Sequence, residues 1–288
     1  MHTQEDNAGP VPAFWIMSID QHYQQELDPQ AVIEKVQAAY PNGADLYQLA
    51  PLDQLHIGGI KASERLLCHL DPKRHTHVLD IGSGAGGLMR QAASLGVQLI
   101  GLDITHDLNR LNQGLNRCYT GEVNNPVLTG DAHHLPLADA SIDLILFQHS
   151  FLNMPDDLQV LQECRRVLKP GGQLVMHEVV EGESPEAMQF PVPWAAHSSQ
   201  SHLLTDTALR ARLQQAGVND ITLEDWSQEA IDWRRRQLAK ETSHTRVKAP
   251  LSPAMILGKR FAAMGKNLVH NLESGAIRVI EVTARTPG

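Results

Sequence analysis

The 288-residue chain contains only three cysteines, Cys68, Cys118 and Cys164. They are far apart, odd in number and have no metal-ligand spacing. That excludes a disulfide framework and predicts buried free thiols in a reducing, cytoplasmic setting. Histidines number 15, yet no H-x-x-x-H or H-E-x-x-H pair occurs, so no metal site is predicted. No apolar run reaches the ~18 residues of a membrane-spanning helix, and Met1–Gly9 is polar and acidic, unlike a secretory signal. Positive charge is in deficit, with 24 Lys and Arg against 33 Asp and Glu and a net charge of −9. A dedicated nucleic-acid binder would normally carry a basic face, and none is visible. The one basic run, Arg234–Arg236, reads as a solvated helix face. Aromatic residues are scarce and unevenly placed. Trp15, Trp194, Trp226 and Trp233 all lie outside residues 78–181, as do Tyr23, Tyr40 and Tyr47. Inside that stretch stand only Tyr119, Phe147 and Phe151. The outer rings either pack an addition onto a core or line a substrate pocket, where an aromatic face can hold an ammonium group.

What is present is a regular alternation of strand and helix. His77–Ile81 reads as a strand, Leu88–Leu95 as a helix ended by Gly96, and Val97–Asp103 as a second strand. A polar helix over Leu108–Cys118 precedes a short strand at Val127–Thr129. Apart from Asp143, Ile142–Phe147 is an apolar run, as in a central strand buried on both faces. The next helix opens at Asp156-Asp157 and turns Leu158, Leu161, Cys164, Val167 and Leu168 inward. Pro170-Gly171-Gly172 stops it, and Gln173–Val180 is the fifth strand. Asp206–Ala216 reads as a helix, with strands at Val218–Leu223 and Ile277–Thr283. Such alternation predicts an α/β fold on a parallel sheet. We assign 63–225 to the core, 1–62 to an N-terminal helical cap, 226–272 to a helical insert over the strand ends, and 273–288 to the final strand. A smaller insert, Glu183–His202, carries Pro185, Pro191 and Pro193.

Residues 78–87 carry the chemistry. Gly82, Gly84 and Gly87 keep G-x-G-x-x-G spacing directly after a strand. Glycine suits a turn that a ligand must approach without meeting a Cβ. The spacing alone is shared by dehydrogenases, flavoproteins and methyltransferases. Asp80 sharpens it, because a carboxylate there would repel a pyrophosphate. It suits a ligand with a cationic amino group and no phosphate, such as S-adenosylmethionine (SAM). Ligands of open parallel sheets bind beyond the carboxyl ends of the strands. Asp103, ending the second strand, is placed to accept from two ribose hydroxyls, and Ile104 follows it. Asp131 and Ala132 after the third strand suit an adenine amino group and ring edge. Gln148 and His149 end the fourth strand, nearest the reacting atom.

At these residues the chain resembles the class I SAM-dependent methyltransferases. The matching elements are Val78–Gly87, Gly101-Leu102-Asp103, Gly130–Pro136, Ser141–Gln148 and Arg166–Gly172. The resemblance implies a Rossmann-like, seven-stranded, mostly parallel sheet with an antiparallel last strand and helices on both faces. It also implies SAM as cofactor and S-adenosylhomocysteine as product. It carries Asp80, Gly82, Ser83, Gly84, Asp103, Ile104, Asp131, Ala132 and Gln148 to the cofactor site. Leu55-His56-Ile57-Gly58-Gly59 and Ser150–Pro155 further resemble a small-molecule group that includes glycine, sarcosine and dimethylglycine N-methyltransferases and sugar O-methyltransferases. Gln48–Leu55 departs from the aromatic-rich segment of the N-methyltransferases. The implied partner is a small-molecule acceptor, neither nucleic acid nor membrane; the sequence sets no oligomeric state.

His149 is the first candidate base, since histidine titrates near neutrality. Its alternative is a hydrogen-bonding positioner. His56 is the second candidate, or else ties the cap to the core. His133 and His134 read as exposed loop residues. Two other functions stay open, a nicotinamide oxidoreductase and a non-catalytic SAM-binding module.

Overall fold

The computed structural model describes residues 27–242 and 249–288, so Trp15, Tyr23 and the rest of the segment before Leu27 lie outside it. Seven strands form one sheet: β1 (Val78–Ile81), β2 (Leu99–Asp103), β3 (Val127–Thr129), β4 (Ile142–Gln148), β5 (Leu168–Glu181), β6 (Asn219–Asp225) and β7 (Ile277–Arg285). Their order is β3-β2-β1-β4-β5-β7-β6, with β7 antiparallel to both neighbours. This is the Rossmann-like sheet expected from the sequence. Connections run outward from β1 through β2 to β3, then return to place β4 on the other side of β1. That reversal opens a crevice between the carboxyl ends of β1 and β4, where ligands of such sheets bind.

Helices cover both faces. Before the sheet come α1 (Pro29–Ala39), α2 (Leu46–Asp53) and α3 (Ile60–Leu67). Between strands lie α4 (Gly87–Ser94), α5 (His106–Cys118), α6 (Asp157–Val167) and α7 (Asp206–Gln215). Between β6 and β7 lie α8 (Ser227–Thr242), α9 (Ala254–Leu257) and α10 (Phe261–Glu273). The apolar side chains of β1 and β4 are buried on both faces, with Val78, Leu79, Ile81, Leu144, Leu146 and Phe147 at 0% exposure. A strand buried on both faces has no solvent side, which explains why Leu144–Phe147 is apolar throughout.

Boundaries shift in three places. The Pro170-Gly171-Gly172 stop ends α6 but lies within β5, not before it. The C-terminal tail explains this: Gly171 N–H donates to Pro287 O, and Thr286 N–H to Gly172 O. On α6, Val160 takes the buried place given to Leu158, which is only partly covered. Cys68 is exposed, whereas Cys118 and Cys164 are buried as expected. No helix among the described residues is long and apolar enough to cross a membrane.

One buried cation ties the segment before the sheet to the core. Arg90 on α4 is fully buried. It donates to Asp53 Oδ2 at 2.8 Å, to Asn112 Oδ1 at 3.1 Å, to Asn116 Oδ1 at 2.6 Å and to Ala85 O. Asp53 closes α2, so this ion pair fixes α2 against the first helix of the sheet.

Candidate active site

The chain leaves β1 through Gly82, Gly84 and Gly86, at φ +75°, +51° and +83°. Gly82 and Ser83 N–H both donate to Leu102 O, at 2.7 and 3.1 Å, which folds the turn over the end of β2. A Cβ on Gly82 would lie 2.3 Å from Ser150 Cβ, whereas nothing stands within 4 Å of one on Gly84. Gly84 is therefore the point where a ligand can touch bare backbone. The third glycine of the motif, Gly87, is needed for a different reason than a left-handed turn. Its Cβ would meet Asp53 O at 2.2 Å, so its absence lets α2 approach.

Asp80 is 2% exposed, and its Oδ2 is buried with no hydrogen-bond partner. Burial, reinforced by the nearby charge of Asp103, pushes its pKa up to about 7. Ser83 Oγ is likewise buried and unpartnered. Asp103 accepts Gly84 N–H on Oδ2 at 2.9 Å and Thr105 N–H on Oδ1 at 2.8 Å, which locks the end of β2 to the glycine turn. Asp131 accepts His133 N–H at 2.9 Å and His133 Nδ1 at 2.5 Å, both on Oδ1.

His133 is thus not an exposed loop residue. It is buried, and its Nε2 also donates to Pro155 O, clamping the loops after β3 and β4 together. Burial alone would lower its pKa, but bonds to Asp131 and Pro155 outweigh burial and raise it. His134 is exposed, as expected.

At the end of β4 three imidazoles meet. His149 takes a left-handed φ of +53°, unusual for a residue with a Cβ. Its ring stacks on His177, with centroids 5.1 Å apart at 24°, and lies 5.9 Å from His56. His177 is fully buried on β5, next to Gln148 in register, and edges against Trp226 at 4.9 Å. Carbonyls fix two tautomers, since a carbonyl oxygen only accepts. His177 Nε2 donates to Ile57 O at 3.2 Å, and His56 Nε2 to Gly59 O at 3.1 Å. The His149 Nε2 and His177 Nδ1 atoms are buried without partners. Ser63 Oγ lies 2.8 Å from Gln54 Oε1 and 3.1 Å from Gln148 Oε1, its single proton serving one of them at a time, and Gln148 Nε2 is buried and unpartnered.

Burial lowers the pKa of His56 to about 3, of His177 to about 4, and of His149 well below its ordinary value. The expectation that His149 titrates near neutrality does not survive this burial. All three rings are neutral at pH 7.

One cavity of about 1140 Å³ joins these groups. Asp80, Gly82, Ser83, Gly84, Asp103, Ile104, Asp131, Ala132, Gln148, His149 and His56 all line it, so the structure brings every candidate together. Its far wall comes from α8–α10 and the loop between β5 and α7. Of the outer aromatics, Trp226 packs the interior, while Trp194 and Trp233 reach the cavity. Arg234 is not a solvated residue: it is 4% exposed and paired with Glu241 through 3.0 and 2.6 Å bonds. Sequence reasoning missed His177 and Ser63. The signal for His177 was available, because His177-Glu178 is a polar break in an apolar strand.

A family model described as a methyltransferase domain matches residues 79–176. Over 185 residues, 64% of this chain, the sequence is 28% identical to a glycine/sarcosine/dimethylglycine N-methyltransferase of Actinopolyspora halophila, covering 32% of that protein. Over 173 residues, 58% of this chain, it is 28% identical to a 27-O-demethylrifamycin SV methyltransferase of Amycolatopsis mediterranei, covering 63%. The chain therefore spans less than two thirds of these curated relatives. Its fold matches a solved geranyl diphosphate C-methyltransferase from Streptomyces coelicolor, bound to geranyl diphosphate and S-adenosylhomocysteine. The TM-score is 0.66 at 15% identity, over 96% of this chain and 99% of that one. Residues 79–176 thus match a methyltransferase domain, and the sheet has the Rossmann-like fold of solved methyltransferases.

Proposed function

We propose that this chain transfers the methyl group of SAM to a small-molecule acceptor. The observation that carries this reading is the buried, unpartnered carboxylate of Asp80 beside the open backbone of Gly84. A buried unpaired carboxylate is costly. A cationic amino group would satisfy it, and a pyrophosphate would make it worse, so the nicotinamide reading is disfavoured. Asp103 is firmly positioned by two backbone amides at the end of β2, where a ribose would lie. Asp131 has Oδ1 tied to His133, leaving Oδ2 for an adenine amino group. Ile104 and Ala132 flank the ring position, and Gln148 Nε2 faces the reacting end.

When bound, SAM supplies a methyl group already activated by its sulfonium. The residues of the chain align an acceptor against it, exclude water and hold a proton. His149 is neutral, so it can take a proton or a hydrogen bond without first losing one. Its low proton affinity suits positioning and relay better than lasting protonation. His56 commits Nε2 to Gly59, so only its Nδ1 can accept.

The acceptor we favour is an amine or amino acid, as in sarcosine or dimethylglycine methylation, in line with the name of one relative. A second reading is an O- or C-acceptor on a natural product or quinone. It is favoured by the apolar far wall, with Leu257, Phe261, Met264 and Leu268. In either reading 63–225 and 273–288 form the cofactor core, with 27–62, 226–242 and 249–272 as the described part of the cap. Calorimetry with SAM and S-adenosylhomocysteine tests the cofactor. Transfer from methyl-labelled SAM is then read over glycine, sarcosine, dimethylglycine, a phenol and a demethylated quinone. NADH binding without SAM binding would overturn the proposal. Cofactor binding with no transfer across the panel would favour a binding module.

A further inference from the structure

The cap helix α8 presents one face to the cavity. Trp233, Arg236, Gln237 and Lys240 all line it, at the three- and four-residue spacing that stacks side chains along one side of a helix. Two of these are cations with no ionic partner among the described residues. Arg234 differs, because its charge is answered by Glu241; Arg235 points elsewhere and pairs with Glu273. Arg236 and Lys240 are one turn apart, and like charges at that spacing repel and destabilise a helix. The chain as a whole is acidic, so an unneutralised basic pair facing a cavity is not a consequence of composition. Beside the pair, Leu257, Phe261, Met264 and Leu268 form an apolar wall. The cavity, about 1140 Å³, exceeds the ~300–1,000 Å³ usual for one small ligand, so a sizeable acceptor fits beside a cofactor.

Resting on the methyltransferase reading above, we propose that the acceptor is an amphipathic anion. Its carboxylate or phosphate is held by Arg236 and Lys240, its apolar body lies on Trp233 and the α10 wall, and its reacting atom reaches His149. Arg236 offers a planar fork to two anion oxygens, and Lys240 adds a point charge. Both sit at the exposed rim, so an acceptor can enter body first and keep its charge near water until α8 contacts it. This favours the second reading above, an O- or C-acceptor on a natural product or quinone, over sarcosine-sized amino acids, which have no body to fill the wall.

The test uses the full chain with saturating S-adenosylhomocysteine and three probes: 4-phenylbutyrate, 3-phenylpropyl phosphate and the neutral 4-phenylbutyramide. Binding is read by calorimetry and by quenching of tryptophan fluorescence. At least one anion is expected to bind at least about tenfold tighter than the amide, the scale of a charge-assisted contact. Comparing carboxylate with phosphate identifies which head group is read. Raising salt is expected to narrow the difference, since the pair is at the rim. In the R236Q/K240Q double variant the preference is expected to vanish, while S-adenosylhomocysteine affinity stays unchanged. Equal binding of amide and anions, no binding of either anion, or an intact preference in the variant would each overturn the proposal. Failure of S-adenosylhomocysteine to bind the unaltered chain would instead overturn the methyltransferase reading. The two failures are thus read on different ligands.

Discussion

Protonation of Asp80 is expected to govern cofactor affinity across the physiological range. Burial, with Asp103 adding to it, moves this carboxyl from 3.8 to about 7 in the free protein. A bound ammonium beside it favours the ionised form and pulls the pKa back down. Binding therefore requires loss of a proton below pH 7 and none well above it. At pH 8 about nine tenths of the free protein is ionised, and at pH 6 about one tenth, so affinity is expected to fall about tenfold between them. The assay is calorimetry with S-adenosylhomocysteine, whose ammonium stays charged over that range. Asp80→Asn is expected to flatten the profile and weaken binding at pH 8 by about 1.5–3 kcal/mol, the worth of a hydrogen bond to a charged group. The same substitution is expected to stabilise the free fold. A carboxyl whose folded pKa is raised contributes stability that is complete below its unfolded pKa and is lost as pH rises through the folded one. At about 1.4 kcal/mol per pKa unit, the loss approaches about 4 kcal/mol above pH 7. D80N should therefore melt higher than the unaltered chain at pH 8, and the two should converge near pH 4. A variant that keeps the pH slope in binding, or melts lower at pH 8, would refute the reasoning.

Other expectations follow from the same geometry. Asp103→Ala strands Gly84 N–H and Thr105 N–H and removes the ribose acceptor; calorimetry should show cofactor affinity falling by about 1–3 kcal/mol. His149→Ala should leave S-adenosylhomocysteine affinity nearly intact and lower turnover by about 10²–10⁴, as for a lost proton acceptor, once an acceptor is in hand. Gly82→Ala forces a Cβ to within 2.3 Å of Ser150 Cβ, whereas Gly84→Ala meets nothing. The first should therefore melt well below the second, whose cost is limited to about 1–2 kcal/mol of left-handed backbone strain. Arg90→Met leaves Asp53 buried without its cation, and an urea melt should show a loss of about 3–5 kcal/mol.

The sheet was legible because its strands obey a local rule. Runs such as Leu144–Phe147 are apolar throughout, and β1, β2, β3 and β4 each end at or just before an acid, glycine or amide that lines the cavity. Asp80, Asp103 and Asp131 could be read one strand at a time, since each needs only its own strand end to be placed. The acceptor half of the cavity could not, because it depends on relations between strands and on burial. His177 comes beside His149 only through the β4–β5 pairing, 28 residues apart, and its neutrality follows from a packing density no motif encodes. His133 was misread for the same reason: a two-residue polar loop looks solvated until Pro155 closes over it. Arg234 and Arg236 lie two residues apart in one basic run and both border the cavity, yet Arg234 is sealed against Glu241 while Arg236 is exposed with no ionic partner among the described residues. Two residues of a helix differ by about 200° in direction, so a charge run states how many cations there are but not which one meets a ligand. Cofactor chemistry is thus written along the strands, while acceptor selectivity is written in which turn of α8 faces inward.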